Sequence, residues 1–372
     1  MPRGRAVVLD KPFGTFSVEE FAVPDPAPGT VLLRMELSGC CATDVHTYLG
    51  EWKTTSFPVM PGHENVGRVE AIGAGGQRDY LGHELRRGDR VFARWGWCGQ
   101  CYECTALRQP RRCRNRTVSY GGMQTPFSGG FAEYLYLNAP RTTFMLTMEC
   151  AARTAVLSEP LGVAVTAVRR AQPLPGDTVV VQGCGAIGLL TLGVARLAGA
   201  ARVICVGGPP ERLEVARAFG ADVTIDIEAV HDPNERIRAV LAETPGGVGA
   251  DLVYGCVGLA PAWMEGIGFV RDGGRFMELG LASDTGDVQF NPANQLVARN
   301  LTCMGTLGLS DYQDAVAAGR ILEAGRLPFE LLVSHQLPLE RVGDAIHALN
   351  SDYRLDGTAA LKIAIAPNGP LE

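Results

Sequence analysis

Thr178-Val179-Val180-Val181-Gln182-Gly183-Cys184-Gly185-Ala186-Ile187-Gly188 is the stretch on which the fold turns. Three consecutive valines favour a strand, and the apolar run Ile187–Ala198 has the pattern of a helix. Between them, glycines at 183, 185 and 188 fit G-x-G-x-x-G in the strand–turn–helix context that gives this weak pattern its meaning. The first glycine permits a tight turn, the second lets backbone approach a pyrophosphate, and the third lets helix and strand pack closely. The helix N-terminus then offers free N–H groups and a positive dipole end to phosphates. The same region contains a charge-free stretch, Thr178–Ala195, long enough to suggest a membrane helix. Gln182 and the three glycines instead identify it as strand, turn and helix in a soluble core.

Downstream, strands are expected at Arg202–Val206, Val223–Ile225, Asp251–Tyr254, Arg275–Leu279 and Leu301–Gly305, with a helix at Glu211–Phe219. Strands alternating with helices imply an α/β fold with a parallel sheet and right-handed crossovers. Upstream the texture differs. Short β-like runs at Arg5–Leu9, Thr30–Leu37, Val66–Ile72 and Phe131–Leu137 are broken by Gly and Pro, as in an irregular antiparallel β domain. The tail ends in an alternating strand at Ala360–Ile365. No repeat, heptad run or low-complexity linker interrupts the chain.

With 372 residues, 46% hydrophobic and 20% charged, the chain can bury a sizeable core and is not of disordered composition. Its net charge of −6 excludes a general nucleic-acid footprint. The basic Met1–Arg5 is not followed by an apolar segment, so a cytoplasmic protein without a secretory signal is expected. The distribution of the eleven cysteines says more than their number. Cys98-x2-Cys101-x2-Cys104-x8-Cys113 suits one structural tetrahedral Zn²⁺. Its first three thiols also match a bacterial ferredoxin, but that motif has its fourth cysteine after three residues and before proline. Cys150, Cys205, Cys256 and Cys303 read as small buried hydrophobes. Arg108, Arg111, Arg112, Arg114 and Arg116 make the four-cysteine lobe basic, as for a solvated or subunit-contacting loop.

A second, dispersed set comprises Cys41, His63 in Gly62-His63-Glu64, and Glu159 in Ser158-Glu159-Pro160-Leu161. One thiolate, one imidazole and one carboxylate would leave a coordination position open on zinc. Spacing alone does not bring them together, and each has a plain structural reading. Cofactor choice is open too. The strand Arg202–Val206 runs into Gly207-Gly208-Pro209-Pro210, with no carboxylate for an adenosine ribose, and Arg212 suits either a phosphate or a solvated helix face.

Together these residues resemble the zinc-dependent medium-chain dehydrogenase/reductase family of alcohol and polyol dehydrogenases. Gly39-Cys40-Cys41-Ala42-Thr43-Asp44-Val45-His46 is similar to the family's G-x-C-x-[ST]-D-x-H, and Gly62-His63-Glu64 with Gly67 to its G-H-E-x-x-G. Glu159-Pro160-Leu161 resembles the third-ligand segment of the polyol branch, and the four-cysteine lobe the family's structural zinc site. The likeness spans nearly the whole chain in family order. It implies a GroES-like catalytic domain at 1–165 with both zinc sites, a Rossmann NAD(P)-binding domain at 166–308, and a return to the catalytic domain at 309–372. It implies Cys41, His63 and Glu159 as catalytic zinc ligands, with Asp44 behind them and Glu64 close by. Zinc would act as a Lewis acid on the alcohol, with Thr43 and His46 relaying its proton and hydride passing to the nicotinamide. Gly183, Gly185, Ala186, Ile187, Gly188, Gly207, Arg212 and Lys362 would contact the NAD or NADP, Lys362 at its pyrophosphate. A homodimer or homotetramer is common in the family. The sequence departs from the family pattern at Gly207, at the longer loop before Cys113, and at Cys40, which is expected to be buried packing.

The expected activity is reversible hydride transfer between an alcohol, secondary and cyclic or bulky, and NAD(P)⁺. A zinc-free enone reductase on this fold would not need Cys41, His63 and Glu159 together. A non-catalytic nucleotide-binding zinc protein would have no use for Thr43 and His46. Tyr48, Trp52, Trp95 and Phe127 are pocket candidates because they lie near the motifs in sequence. No basic cluster lies near the catalytic motifs along the chain, so a phosphorylated or acyl-CoA substrate has no support at this level.

Overall fold

A computed structural model describes residues 2–52, 55–117, 123, 125–139 and 141–371. It divides into two compact units, Met1–Glu159 with Asp311–Glu372, and Pro160–Ser310.

The second unit holds a six-stranded sheet, every pair of which is parallel. Across the sheet the strands are Val223–Asp226, Arg202–Gly207, Thr178–Gln182, Ala250–Gly255, Val270–Glu278 and Thr302–Gly305. Counted along the chain that order is 3-2-1-4-5-6, the doubly wound arrangement. Val179, Val180 and Val181 are fully buried because helices cover both faces of such a sheet, which explains the unbroken apolar run. The direction of winding reverses between Thr178–Gln182 and Ala250–Gly255, the place where such sheets bind ligands. The charge-free stretch is the first strand followed by the helix Ala186–Leu197. Among the described residues, no helix is long and apolar enough to cross a membrane.

The first unit is built on a seven-stranded, mostly antiparallel sheet. Its central strand, Val31–Gly39, pairs with Glu64–Ile72 along one side and with Tyr134–Leu137 and Lys362–Ile365 along the other. Arg90–Trp95 and Thr143–Thr147 extend one edge, and Val333–Leu337 closes the other. Register shifts in the pairing of Val31–Gly39 with Glu64–Ile72 bend this part of the sheet. One core cluster contains Val31, Leu33, Val69, Val91, Trp95 and Leu135. Another joins Val7, Cys40, Val45 and Phe131 to Leu337, Ile346 and Ile363 from the C-terminal segment. That packing places the last sixty residues in the same unit as the first strands. The hairpin Arg3–Leu9 with Phe16–Ala22 forms a separate two-stranded sheet.

Six strands of this unit are not anticipated above: Phe16–Ala22, Arg90–Trp95, Thr143–Thr147, Val333–Leu337 and the short pair Arg354–Leu355 and Thr358–Ala359. Phe131–Leu137 shortens to Tyr134–Leu137. Its first residue leaves the ladder and bonds elsewhere, Phe131 N–H donating to Pro61 O at 3.0 Å and Phe131 O accepting from Val7 N–H at 2.8 Å.

Candidate metal and dinucleotide sites

Cys41 caps the helix Ala42–Tyr48, which starts where the strand Val31–Gly39 ends. Its Sγ accepts from Thr43 N–H at 3.3 Å, while its own N–H donates to the Asp44 carboxylate at 2.9 Å. This reciprocal box fixes the sulfur at the start of the helix. His63 Nε2 lies 3.4 Å from that sulfur. The other ring nitrogen, Nδ1, is 4.0 Å from Asp44 Oδ1, so one buried carboxylate faces both side chains. Glu159, in the first turn of the helix Ser158–Ala171, completes the group. Ligand atoms of His63, Glu64 and Glu159 lie within 4.8 Å of one another, as do those of Cys41, Asp44 and His63.

The electrostatics of this pocket are those of a cation site. Burial would push the His63 imidazolium pKa down, yet the charges of Cys41, Asp44 and Glu159 hold it at about 10. Anions that retain a proton so firmly suit a metal cation equally well. A thiolate, an imidazole and a carboxylate make a zinc donor set, with Asp44 behind the histidine in the manner of a supporting carboxylate.

Glu64 and Lys362 lie beside this group. The Lys362 ammonium, 3% exposed, donates to Glu64 Oε1 at 2.6 Å and to Cys40 O at 2.9 Å. Burial would lower its pKa, but Glu64 and Cys41 raise it. The cofactor pyrophosphate expected for Lys362 is therefore replaced by Glu64. The residue is a buried counter-ion to that carboxylate, because a cation with 3% exposure needs an internal partner. Cys40 is buried in the core. Thr43 and His46 stand three residues apart on the helix Ala42–Tyr48, and His46 Nδ1 lies 2.6 Å from Glu51 Oε2.

The lobe cysteines converge. Sγ–Sγ separations are 3.5 Å for Cys101–Cys104, 3.7 Å for Cys101–Cys113 and 3.6 Å for Cys98–Cys113. All four thiols are free of disulfides. A tetrahedron with Zn–S bonds of ~2.3 Å has edges of ~3.8 Å, so the set fits zinc. Cys98 N–H donates to Cys113 Sγ at 3.4 Å and Asn115 Nδ2 to Cys98 Sγ at 3.5 Å, bonds that orient the two sulfurs.

In the second unit, Gly183 has φ +103°, and a Cβ there would meet Cys256 O at 3.0 Å. A Cβ on Gly188 would sit 1.9 Å from Gly183 O, so only glycine lets the helix approach its strand this closely. A Cβ on Gly185 would meet no protein atom within 4 Å, which leaves open space above the loop where a pyrophosphate fits. Gly185 caps the helix Ala186–Leu197 without a side-chain bond, leaving the N–H groups around Ala186, Ile187 and Gly188 free for phosphate oxygens. Gly207 is glycine for a local reason: a Cβ there would meet Cys184 Sγ at 2.5 Å. The neighbouring strand supplies carboxylates that sequence order conceals. Asp226 pairs with Gly207 in register, and Asp226 Oδ1 would be 3.5 Å from a Cβ on Gly208. Arg212 is buried, not on a solvated face, and its charge acts on Cys184.

Of the aromatic pocket candidates, Phe127 is wholly buried in a core with Val8, Met60 and Tyr136. Trp95 is core, its indole N–H donating to Ser128 O at 3.3 Å. Tyr48 packs against Phe13, Phe16 and His347. Trp52 is half-buried. One basic residue, by contrast, does reach the metal pocket. Arg94 Nη1 donates to Glu159 Oε1 at 3.3 Å. The 65 residues between them in sequence hide this pair.

Comparison with known proteins agrees with the geometry. A family model described as alcohol dehydrogenase GroES-like domain matches residues 27–146, and one described as zinc-binding dehydrogenase matches 186–321. The chain is 33% identical to 5-exo-hydroxycamphor dehydrogenase of Pseudomonas putida, over 90% of this chain and 93% of that protein. It superimposes on an alcohol dehydrogenase from Thermotoga maritima with a TM-score of 0.89 and 29% identity, covering 99% of this chain and 100% of that one. A zinc-binding dehydrogenase structure from Sinorhizobium meliloti 1021, bound to NADP, gives a TM-score of 0.84 at 27% identity, covering 99% and 100%.

Proposed function

The chain belongs to the zinc-dependent medium-chain dehydrogenase/reductase family, whose members are NAD(P)-dependent alcohol oxidoreductases, and we propose that it interconverts a secondary alcohol and its ketone using Cys41, His63 and Glu159 as catalytic zinc ligands. The observation that carries this reading is that one imidazole, His63, stands within ligand reach both of a helix-capping thiol, Cys41, with the buried Asp44 beside them, and of the Glu159 carboxylate from a third segment. Zinc bound there would supply a Lewis acid that makes an alcohol hydroxyl more acidic.

The chain's own residues do the rest. Asp44 holds the Cys41 backbone and faces His63, so the two ligands keep a common orientation. Thr43 presents a hydroxyl that can take the alcohol proton as it gives up its own. His46, one turn further on and oriented by Glu51, is the acceptor from which it reaches solvent. In the other unit the Gly183–Gly188 loop and the free helix N-terminus bind the dinucleotide phosphates. Cys98, Cys101, Cys104 and Cys113 hold a second zinc that orders their lobe. The 5-exo-hydroxycamphor substrate in the relative's name is a secondary alcohol, which supports that class here. The proposal extends to a cytoplasmic homodimer or homotetramer, the common family state, which light scattering would check.

The test is nicotinamide reduction with primary, secondary, cyclic and polyol alcohols, with NAD⁺ and NADP⁺ in parallel, alongside zinc content. The expected result is chelator-sensitive activity on secondary alcohols with two zincs per chain. Cys41→Ser should retain one zinc and lose activity. Full activity in that variant would remove Cys41 from the mechanism, and a wild type with one zinc would remove the catalytic site.

A further inference from the structure

The second strand of the wound sheet, Arg202–Gly207, ends without the acidic residue that dinucleotide sites commonly set against the adenosine ribose. Packing explains the omission. A Cβ on Gly207 would meet Cys184 Sγ at 2.5 Å. That sulfur is fixed, because Cys184 is 3% exposed and its thiol donates to Gly208 O at 3.3 Å. No carboxylate can therefore stand at the end of this strand, and one for the ribose has to come from a neighbour.

The third strand, Val223–Asp226, supplies it. Asp226 stands opposite Gly207 in parallel register, one strand spacing or about 4.8 Å away. Ile227 N–H donates to Gly207 O at 3.0 Å, fastening the two strand ends together, and Gly183 N–H of the phosphate-binding loop donates to Val206 O at 2.7 Å. The loop, the end of the second strand and Asp226 thus follow one another along a single edge of the sheet. Asp226 is half-buried, and its Oδ1 lies 3.5 Å from the place a Cβ on Gly208 would take. Oδ1 accepts from Glu228 N–H at 2.8 Å, which holds the carboxylate in place, while Oδ2 has no donor among the described residues. Because Gly207 and Gly208 carry no side chains, only backbone faces the carboxylate from that turn. Arg212, which the sequence offers to a phosphate, is 7% exposed and its charge acts on Cys184, so it presents little surface to a ligand.

We propose that Asp226, from the third strand instead of the second, accepts a hydroxyl of the adenosine ribose through Oδ2 and repels a 2′-phosphate, so that this chain uses NAD and not NADP. The inference rests on the dehydrogenase reading for the class of cofactor and adds the choice between the two. A hydroxyl donating to an ionised carboxylate makes a charge-assisted bond, roughly twice as strong as a neutral one. A 2′-phosphate removes that donor and brings about −1.5 to −2 charges towards the same carboxylate. Asp226 is a specificity residue and takes no part in hydride or proton transfer.

The test is binding, measured by calorimetric titration of the zinc-loaded protein with NADH and with NADPH, no alcohol being present. Wild type should bind NADH at least tenfold more tightly than NADPH. Asp226→Ala should weaken NADH roughly tenfold and leave NADPH unchanged or tighter, so the ratio of the two dissociation constants falls at least tenfold. Asp226→Asn keeps the volume and an acceptor for Glu228 N–H, and should shift the ratio in the same direction at a wild-type melting temperature. That variant separates the lost charge from any disturbance of the strand end. Wild type binding NADPH as tightly as NADH overturns the proposal, as does a ratio unmoved in both variants. Equal weakening of both dinucleotides by Asp226→Asn also overturns it, since a contact to the base would act on the two alike. Should no alcohol reduce the nicotinamide, the dehydrogenase reading fails while these titrations still decide the role of Asp226. A wild type that binds neither dinucleotide overturns it.

Discussion

Replacing Lys362 with methionine isolates the energetic role of the buried cation. The ammonium and the Glu64 carboxylate are 3% and 1% exposed, meet at 2.5–2.6 Å, and share a further bond to Cys40 O at 2.9 Å. Methionine keeps most of the volume but leaves a buried carboxylate uncompensated and a carbonyl without its donor. Breaking one side of a buried pair costs about 3–5 kcal/mol. A domain of this size loses ~2–4 °C per kcal/mol, so Lys362→Met should lower the melting point of the first unit by roughly 10 °C. Tryptophan fluorescence suits the measurement, because Trp52, Trp95 and Trp97 lie in the first unit and only Trp263 in the second. In Glu64→Gln/Lys362→Met the lone charge is gone, and about half the loss should return. A cost below about 1 kcal/mol for the single variant, or a double variant less stable than the single, would refute this account of Lys362.

Other expectations follow from the geometry elsewhere. Cys104→Ser should reduce zinc from two to one per chain by elemental analysis and expose the lobe to proteolysis, since three thiols and a hydroxyl make a poor structural site. Gly188→Ala places a Cβ 1.9 Å from a backbone carbonyl, so the helix must retreat from its strand. Dinucleotide affinity measured by calorimetry should fall at least tenfold. Burial holds the Glu278 carboxyl at about 7, against an ordinary 4.5. A raised carboxyl pKa makes the folded state progressively less stable as pH climbs from about 4.5 to about 7, by about 3 kcal/mol at most. Glu278→Gln should therefore match wild type near pH 5 and exceed its melting temperature at pH 8. Equal pH profiles would place the carboxylate in a more solvated setting.

What could be read from the chain was what depends on neighbours in sequence. Gly188 is glycine because of Gly183, five residues away, and Gly183 because the chain must turn at once out of a buried strand. A strand–turn–helix is thus visible in eleven residues, and from it the wound sheet. The four thiols likewise need one short loop. The strands that escaped notice have other constraints. Phe16–Ala22 carries exposed Glu19 and Glu20 in a two-stranded hairpin, and Arg90–Trp95 sets Arg90 and Arg94 around the apolar run Val91-Phe92-Ala93. Nearness in sequence misled where the aromatic residues were concerned: Tyr48 shares a helix with Thr43 yet packs into a core with Phe16 and His347. The charges that qualify the chemistry belong to a third kind. Lys362 meets Glu64 across 298 residues, and Arg94 meets Glu159 across 65. A cation's partner is chosen by tertiary burial, and no local pattern records it. The reaction is therefore written in short motifs, whereas the choice of alcohol lies in contacts that only the folded chain assembles.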